Sequence, residues 1–316
     1  MGIADSYSRG RRALVERPGA VLTALAGVLL ALDLIRRLVT GALTAGYFAG
    51  LVWDGLIIGL IIGLAGIGLS LTYSILNFAN FAHGDCVSWG AFAGWSVAYL
   101  LAGLGRFDPG GLLLIGGGGG PAPGDVGISV TNTPLAVVAG LVVAIAFTVV
   151  LSLVLDRVVY RPMRGADGIT LLITSIGVAF ALRYLLVFFY YNSRQGVTAT
   201  DKVPKYALGG FSVTAHEVTI LVVALALMLA VHLLLQRTKL GTAMRAMADN
   251  PDLAQVTGIP IERVIRSTWI VGGGLAGAAG YLVVLTQGTI SYDLGWLLLL
   301  LIFAAVILGG ISSPTG

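Results

Sequence analysis

Residues 241–259 read GTAMRAMADNPDLAQVTGI, a polar and charged segment set between two long apolar runs, 218–235 and 268–286. Residues 242–248 are good helix formers, and Asn250 ends the run. The same Asn250 is suited to cap a second short helix, with Pro251 at its first position and Asp252 in its first turn. Gly258 is placed to close that helix in a left-handed conformation. Two short helices at an angle are expected to expose Met244, Met247, Leu253 and Val256 in small apolar clusters. Such an element is either an amphipathic linker on a membrane surface or a docking device for a partner.

The rest of the chain makes that segment an exception. Of 316 residues, 57% are hydrophobic and 11% charged, where a soluble domain carries about 25% charged residues. Apolar runs of about 20 residues recur, the length that crosses a bilayer as helix. The alternation of a membrane β-barrel is absent. The expected fold is all-α, a polytopic membrane protein of about eight transmembrane helices. The formal net charge is +4, and the basic residues sit in loops between apolar runs. That is a signal of membrane topology and not of nucleic acid binding. The single cysteine, Cys86, excludes an intrachain disulfide.

The outer segments and loops follow from the same reading. Residues 1–20 carry four arginines before a short apolar run, 21–32, which is followed by Asp33, Arg36 and Arg37. A signal peptide, an interfacial helix and a first spanning helix compete here, and the charges near Ala42 weigh against the first. We take the run as a spanning helix within an N-terminal extension, residues 1–45. Gly55, Gly59 and Gly63, and later Gly273 and Gly277, have the four-residue spacing that lets helices approach closely. Residues 77–85, NFANFAHGD, place two Asn, a His and an Asp beside apolar runs. They form either an interfacial loop or a broken helix lining a polar cavity. The glycine tract 116–120, within the Gly/Pro-rich stretch 105–134, reads as a flexible exposed loop. It is no phosphate loop, because none of the three lysines follows a glycine.

Charge counting orients the chain. With 236–267 inside, residues 1–20, 156–168 and 236–267 hold twelve Lys/Arg, and the opposite side holds six. That agrees with the positive-inside rule and makes the N-terminus and 236–267 cytoplasmic in a multi-pass cell-membrane protein. Arg183 remains, inside the run 169–191. It pairs with an acid, reaches for the interface, or meets a solute carboxylate.

Four stretches resemble the permease family of branched-chain amino-acid ABC importers, over roughly residues 50–316: GLSLTYS (68–74) with NFAHGD (80–85); YRPMR (160–164); residues 241–259; and VILGGI (306–311) with Pro314 and Gly316. The resemblance implies a permease domain, 46–316, that forms a translocation path for hydrophobic amino acids. It implies that 241–259 is the coupling helix pair, with Gly241, Arg245, Ala246, Asn250 and Gly258 as the matching positions. It assigns Asn80, Phe81, His83 and Gly84 to the path or its gate, where Arg183 is a departure from the family's neutral residue. The implied partners are a second homologous permease subunit, two cytoplasmic ABC ATPases, an extracytoplasmic binding protein and the bilayer. No cofactor is expected in this chain, and ATP would be bound by the partner ATPases. Members continue past the final Pro-x-Gly, so the domain is expected to be incomplete at its C-terminal end.

Two other function classes are weighed against this one. A secondary transporter or channel for a small polar solute wants ionisable residues within the spans and inverted repeats. Arg183 and His232 are all the interior offers, and no repeat is visible. A permease for urea or short amides is a variant of the first reading. An intramembrane enzyme needs paired carboxylates, a Ser/His dyad or a His-Glu-x-x-His helix. The three His are far apart in sequence, so the chain is not expected to be an enzyme.

Overall fold

The computed structural model describes residues 18–104, 126–190, 192, 194–196 and 203–310. The glycine tract 116–120, the arginines before residue 18 and the chain after 310 lie outside the described residues.

The described residues are mostly helical, in the order α1 (Pro18–Val39), α2 (Ala45–Leu76), α3 (Ala82–Ala102), α4 (Pro134–Leu155), α5 (Gly168–Tyr190), α6 (Ala215–Arg237), α7 (Lys239–Asp249), α8 (Pro251–Val256), α9 (Ile261–Gln287) and α10 (Leu294–Gly309). Five are long and apolar enough to cross a membrane: α2, α4 with the turns that extend it to Met163, α5, α6 and α9. Three more helices, α1, α3 and the shorter apolar α10, accompany them. The all-α, polytopic expectation therefore holds. Four short strands add two antiparallel pairs, β1 (Gln195–Gly196) with β4 (Thr289–Ile290) and β2 (Lys205–Leu208) with β3 (Phe211–Thr214).

Contacts divide the chain into two compact units. One comprises Ala207–Ser212 and the described residues up to Asp54; the other comprises Gly55–Tyr206 and Val213–Gly316. Within the first, Trp53 meets Phe211 with ring centroids 6.5 Å apart, and Arg37 makes an exposed ion pair with Asp33 at 2.7 Å. α1 carries its charges, Asp33, Arg36 and Arg37, towards its C-terminal end.

The second unit is built on α3 and α9. α3 is buried along most of its length, although it carries His83, Asp85 and Ser88. Helices in lipid gain nothing from hiding apolar surface from other apolar surface, so close backbone approach and satisfied polar groups hold them together. Both are present. A side chain at Gly90 would collide with the backbone of Gly277 on α9, and one at Gly84 would stand 2.7 Å from the carbonyl of Gly295 on α10. Gly273 and Gly277 pack against Ser152 and Thr148 of α4, whose hydroxyls bond back to Thr148 and Ala144 carbonyls at 2.7 Å. The sequence spacing anticipated this pair; of the other set, only Gly63 meets a neighbour, the Met228 side chain of α6. Gly55 and Gly59 face open space, and Gly68 against Gly272 makes the close contact between α2 and α9. A stripe of glycines permits approach; what faces it decides whether any occurs.

Cross-links define two ends of this unit. At one, Tyr160 reaches Asn80, and Arg164 reaches Glu262. At the other, His216 donates from Nδ1 to Leu285 O (3.2 Å) and accepts at Nε2 from Val130 N (3.3 Å), and β1 pairs with β4. The first end gathers 77–81, 156–168 and 236–267, so two of the three basic segments that charge counting grouped lie together; the arginines of the third lie outside the described residues. We refer to it as the basic end.

Candidate functional site

The helix pair at the basic end is built as its sequence suggests. Thr238 opens α7, its hydroxyl accepting from Gly241 N at 3.0 Å. Gly241 lies against the Leu234 and Leu235 carbonyls, where a side chain has no room. Asn250 ends α7 and caps α8, accepting from Leu253 N at 2.9 Å, with Pro251 at the first position. Gly258 closes the segment at φ +85. Arg245 hydrogen-bonds Gln236 Oε1 at 3.0 Å, and Ala246 O accepts from Asn250 N at 3.0 Å.

The expected exposure needs a correction. Met244 and Met247 are buried, while Leu253 and Val256 are 60% and 85% exposed. The amphipathic face of α7 turns inward and anchors the pair. On α8, Ala254 is buried, while Leu253 and Val256 turn outward with no cover among the described residues.

Beneath the pair lies a cavity of about 160 Å³, lined by Phe78, Tyr160, Arg164, Met247, Pro251 and Ile265 among others. Phe78, in the turn 77–81, joins Ile75 and Leu76 on its wall. Asn77 holds φ +54, an uncommon conformation that Asn tolerates, and Phe78 and Asn80 are buried. Asn80 Oδ1 accepts from Ala82 N and from the Tyr160 hydroxyl, both at 3.1 Å. Ser175 on α5 joins the turn, accepting from Phe81 N at 3.0 Å. Phe81 packs on Phe303 of α10, with centroids 5.0 Å apart. Tyr160 lies between Phe78 and Trp269, stacked on the latter at 19°. His83 is held within the bundle, donating from Nε2 to Ala65 O at 2.9 Å. The segment is thus a packed turn rather than a solvated interfacial loop.

The chain around Tyr160 departs from α-helical geometry. Residues Asp156–Tyr160 form a π turn and Arg161–Met163 a 3-10 turn; such irregularities in a helix often accompany functional sites. They carry Arg164 back toward Asp156, at 2.9 and 3.1 Å, and across to Glu262 at the start of α9. Burial alone would lower the Arg164 pKa, but the hydrogen bonds to Glu262 and Asp156 outweigh it and hold the pKa above its ordinary value. Arg164 therefore clasps the end of α4 to the start of α9, the helix that follows the α7–α8 pair.

Arg183 sits elsewhere, inside the bundle. Its Nε and Nη2 donate to the two carboxylate oxygens of Asp85 at 3.1 and 3.0 Å, in the two-pronged geometry that suits guanidinium to carboxylate. Its cation also lies over Trp296 of α10 at 4.4 Å and over Phe180 at 5.4 Å. The pairing alternative is the one realised. Asp85 was not among the sequence-derived site residues, although a lone arginine at membrane depth calls for an acid. The buried histidine beyond the motif is His216; His232 is exposed. Among the described residues no group of His, Cys, Asp and Glu is arranged to hold a metal.

A family model described as the permease component of the branched-chain amino acid transport system matches residues 51–316. The chain is 27% identical over 268 residues to the high-affinity branched-chain amino acid transport system permease protein BraD of Pseudomonas aeruginosa, covering 83% of this chain and 79% of that one. It is 28% identical over 275 residues to LivH of Escherichia coli, with 85% and 81% covered. LivH of Salmonella typhimurium is 26% identical over 275 residues, with the same coverage. No solved structure matches the chain.

Proposed function

The chain belongs to the family of permease components of branched-chain amino acid transport systems, and on that premise we propose that it moves branched-chain or similarly hydrophobic amino acids through its helical bundle, driven by ATP hydrolysed on partner subunits. The α7–α8 pair is the contact with a cytoplasmic ABC ATPase. A second, homologous permease subunit completes the path, and an extracytoplasmic binding protein delivers the solute. Residues 236–267 and the N-terminus face the cytoplasm.

The observation that carries this reading is the division of labour within α7–α8. A docking element must be fixed to the part it moves and open to the part that moves it. Met244 and Met247 supply the anchor, and Leu253 and Val256 supply the open face. From there the mechanism is one of rigid transmission. Displacing α8 shifts Met247 and Pro251 against the wall formed by Phe78 and Tyr160. Tyr160 holds Asn80, and the turn holds the start of α3 through Asn80 and Ala82. α3 carries Asp85, which with Arg183 and Trp296 joins α3, α5 and α10 inside the bundle. Opening a path there requires those three helices to part, which makes this cluster the gate. Asn80, Phe81, His83 and Gly84 act as the lever rather than as solute ligands. The chain performs no covalent chemistry and holds no nucleotide.

Replacing Leu253 and Val256 together by Asp is expected to abolish uptake in reconstituted vesicles while leaving the inserted amount unchanged. Arg245→Glu should also uncouple hydrolysis from uptake. Full uptake from the Asp variants contradicts the docking role. One observation favours a secondary transporter, namely the ionisable Asp85–Arg183 pair within the bundle. Uptake that survives ATP depletion but collapses with an uncoupler would establish that alternative.

A further inference from the structure

A second feature of the basic end lies outside the α7–α8 pair. The end of α4 and the start of α9 enclose a groove of about 420 Å³, lined by Leu153, Asp156, Arg157, Arg161, Glu262, Arg263 and Arg266. Its charges do not cancel. Both carboxylates are engaged by Arg164 from the side, and Arg161 shares Glu262 at 3.5 Å. Among the described residues Arg157, Arg263 and Arg266 form no ion pair, and all three are exposed. Three uncompensated guanidiniums converging on one groove suit a phosphate, which takes two-pronged hydrogen bonds from arginine.

The surroundings say what bears that phosphate. On α4, Val150 and Val154 stand two turns and one turn before Arg157 on nearly the same face, and they are 59% and 50% exposed. On α9, Ile270 follows Arg266 by one turn and is also exposed. An apolar strip thus runs from the groove along the spanning part of both helices. A molecule that fills groove and strip together has an anionic head and hydrocarbon chains. We propose that the α4–α9 groove is a binding site for the headgroup of an anionic phospholipid such as phosphatidylglycerol, with its acyl chains along Val150, Val154 and Ile270. The site rests on the chain lying in a bilayer and not on what it transports. Arg164 forms the wall between groove and α7–α8 cavity, so the lipid would brace the clasp that ties α4 to α9.

The test is native mass spectrometry of the detergent-purified full chain, titrated separately with phosphatidylglycerol and phosphatidylcholine. Wild type is expected to bind phosphatidylglycerol more tightly. The double substitution Arg263→Gln with Arg266→Gln should cut that preference about thirtyfold, near the value of two arginines at a lipid surface. Arg237→Gln with Lys239→Gln removes the same charge from the same end and should leave it intact. An unchanged preference in the Arg263/Arg266 variant overturns the proposal, as does an equal loss in the control, which would make the effect a diffuse one. Displacement of the lipid's whole excess by inorganic phosphate would reassign the groove to a free anion. If the Arg263/Arg266 variant keeps its lipid preference but loses its ATPase partner, the groove is a protein contact instead. Should that variant aggregate, Arg157→Gln gives the same readout with a smaller expected loss.

Discussion

Two arginines of this chain make nearly the same bond and do different things with it. Arg183 meets Asp85 at 3.0 Å with both side chains sealed from solvent and two aromatic rings alongside. Arg164 meets Asp156 at 2.9 Å and Glu262 as well, but Glu262 is 61% exposed. The first joins α3 to α5 where no water can replace either partner. The second joins α4 to α9 at a rim where water can. A bond of the first kind yields only when its helices part, as the proposed gate requires; a bond of the second kind exchanges with water far more readily. The basic end is where the α7–α8 pair attaches, so the molecule places its exchangeable bond next to its moving part.

Breaking the inner bond should cost most. Arg183→Ala leaves a buried carboxylate alone and is expected to destabilise by about 3–5 kcal/mol, read as a large fall in melting temperature. Arg183→Leu combined with Asp85→Leu should recover much of that loss, since two apolar residues do not need each other. A single variant that melts like wild type would show that the pair is not sealed. Next comes the rim. Arg164→Ala should lose about 1–3 kcal/mol, discounted for the exposure of Glu262. Its uptake per ATP should fall by more than its stability suggests. Equal loss in both would make Arg164 a static brace. Between the two regions lies Tyr160, and Tyr160→Phe removes one of two hydrogen bonds at Asn80, for about 0.5–1.5 kcal/mol. Asn250→Ala should cost about 1 kcal/mol, confined to α8 and visible as faster hydrogen exchange over 251–256. The exposed Arg37–Asp33 pair is the lower reference, where Arg37→Ala should change stability by no more than about 0.5 kcal/mol.

The sequence made parts of this contrast visible and hid others for physical reasons. The architecture of the α7–α8 pair was legible because caps and breaks are local: Asn250, Pro251 and Gly258 act on their own neighbours. The direction in which Met244 and Met247 point was not, since an amphipathic helix shows that it has an apolar face but not what covers it. Arg183 announced itself as a charge in an apolar run, yet its partner lies 98 residues away, and only tertiary contact selects Asp85. The turn at 77–81 looked solvated because Asn and His are polar. Asn77 is indeed exposed, but Asn80 and His83 are buried and matched by Tyr160 and Ala65, and Ser175 meets the Phe81 amide. Glycine spacing at 273 and 277 succeeded where that at 55 and 59 failed, because the spacing is a property of one helix and close packing a property of two.

The docking role of α8 admits the most direct test. Cys86 is the chain's one cysteine and is buried, so a cysteine placed at Val256 is the one accessible thiol among the described residues. With the partner ATPase co-expressed, Val256→Cys treated with a short thiol-to-amine cross-linker is expected to give an adduct at the combined mass. Leu135→Cys, on the exposed apolar face of α4, should give none. The same adduct from both positions, or none from Val256→Cys in a complex that still transports, would contradict the claim that α7–α8 receives the driving contact.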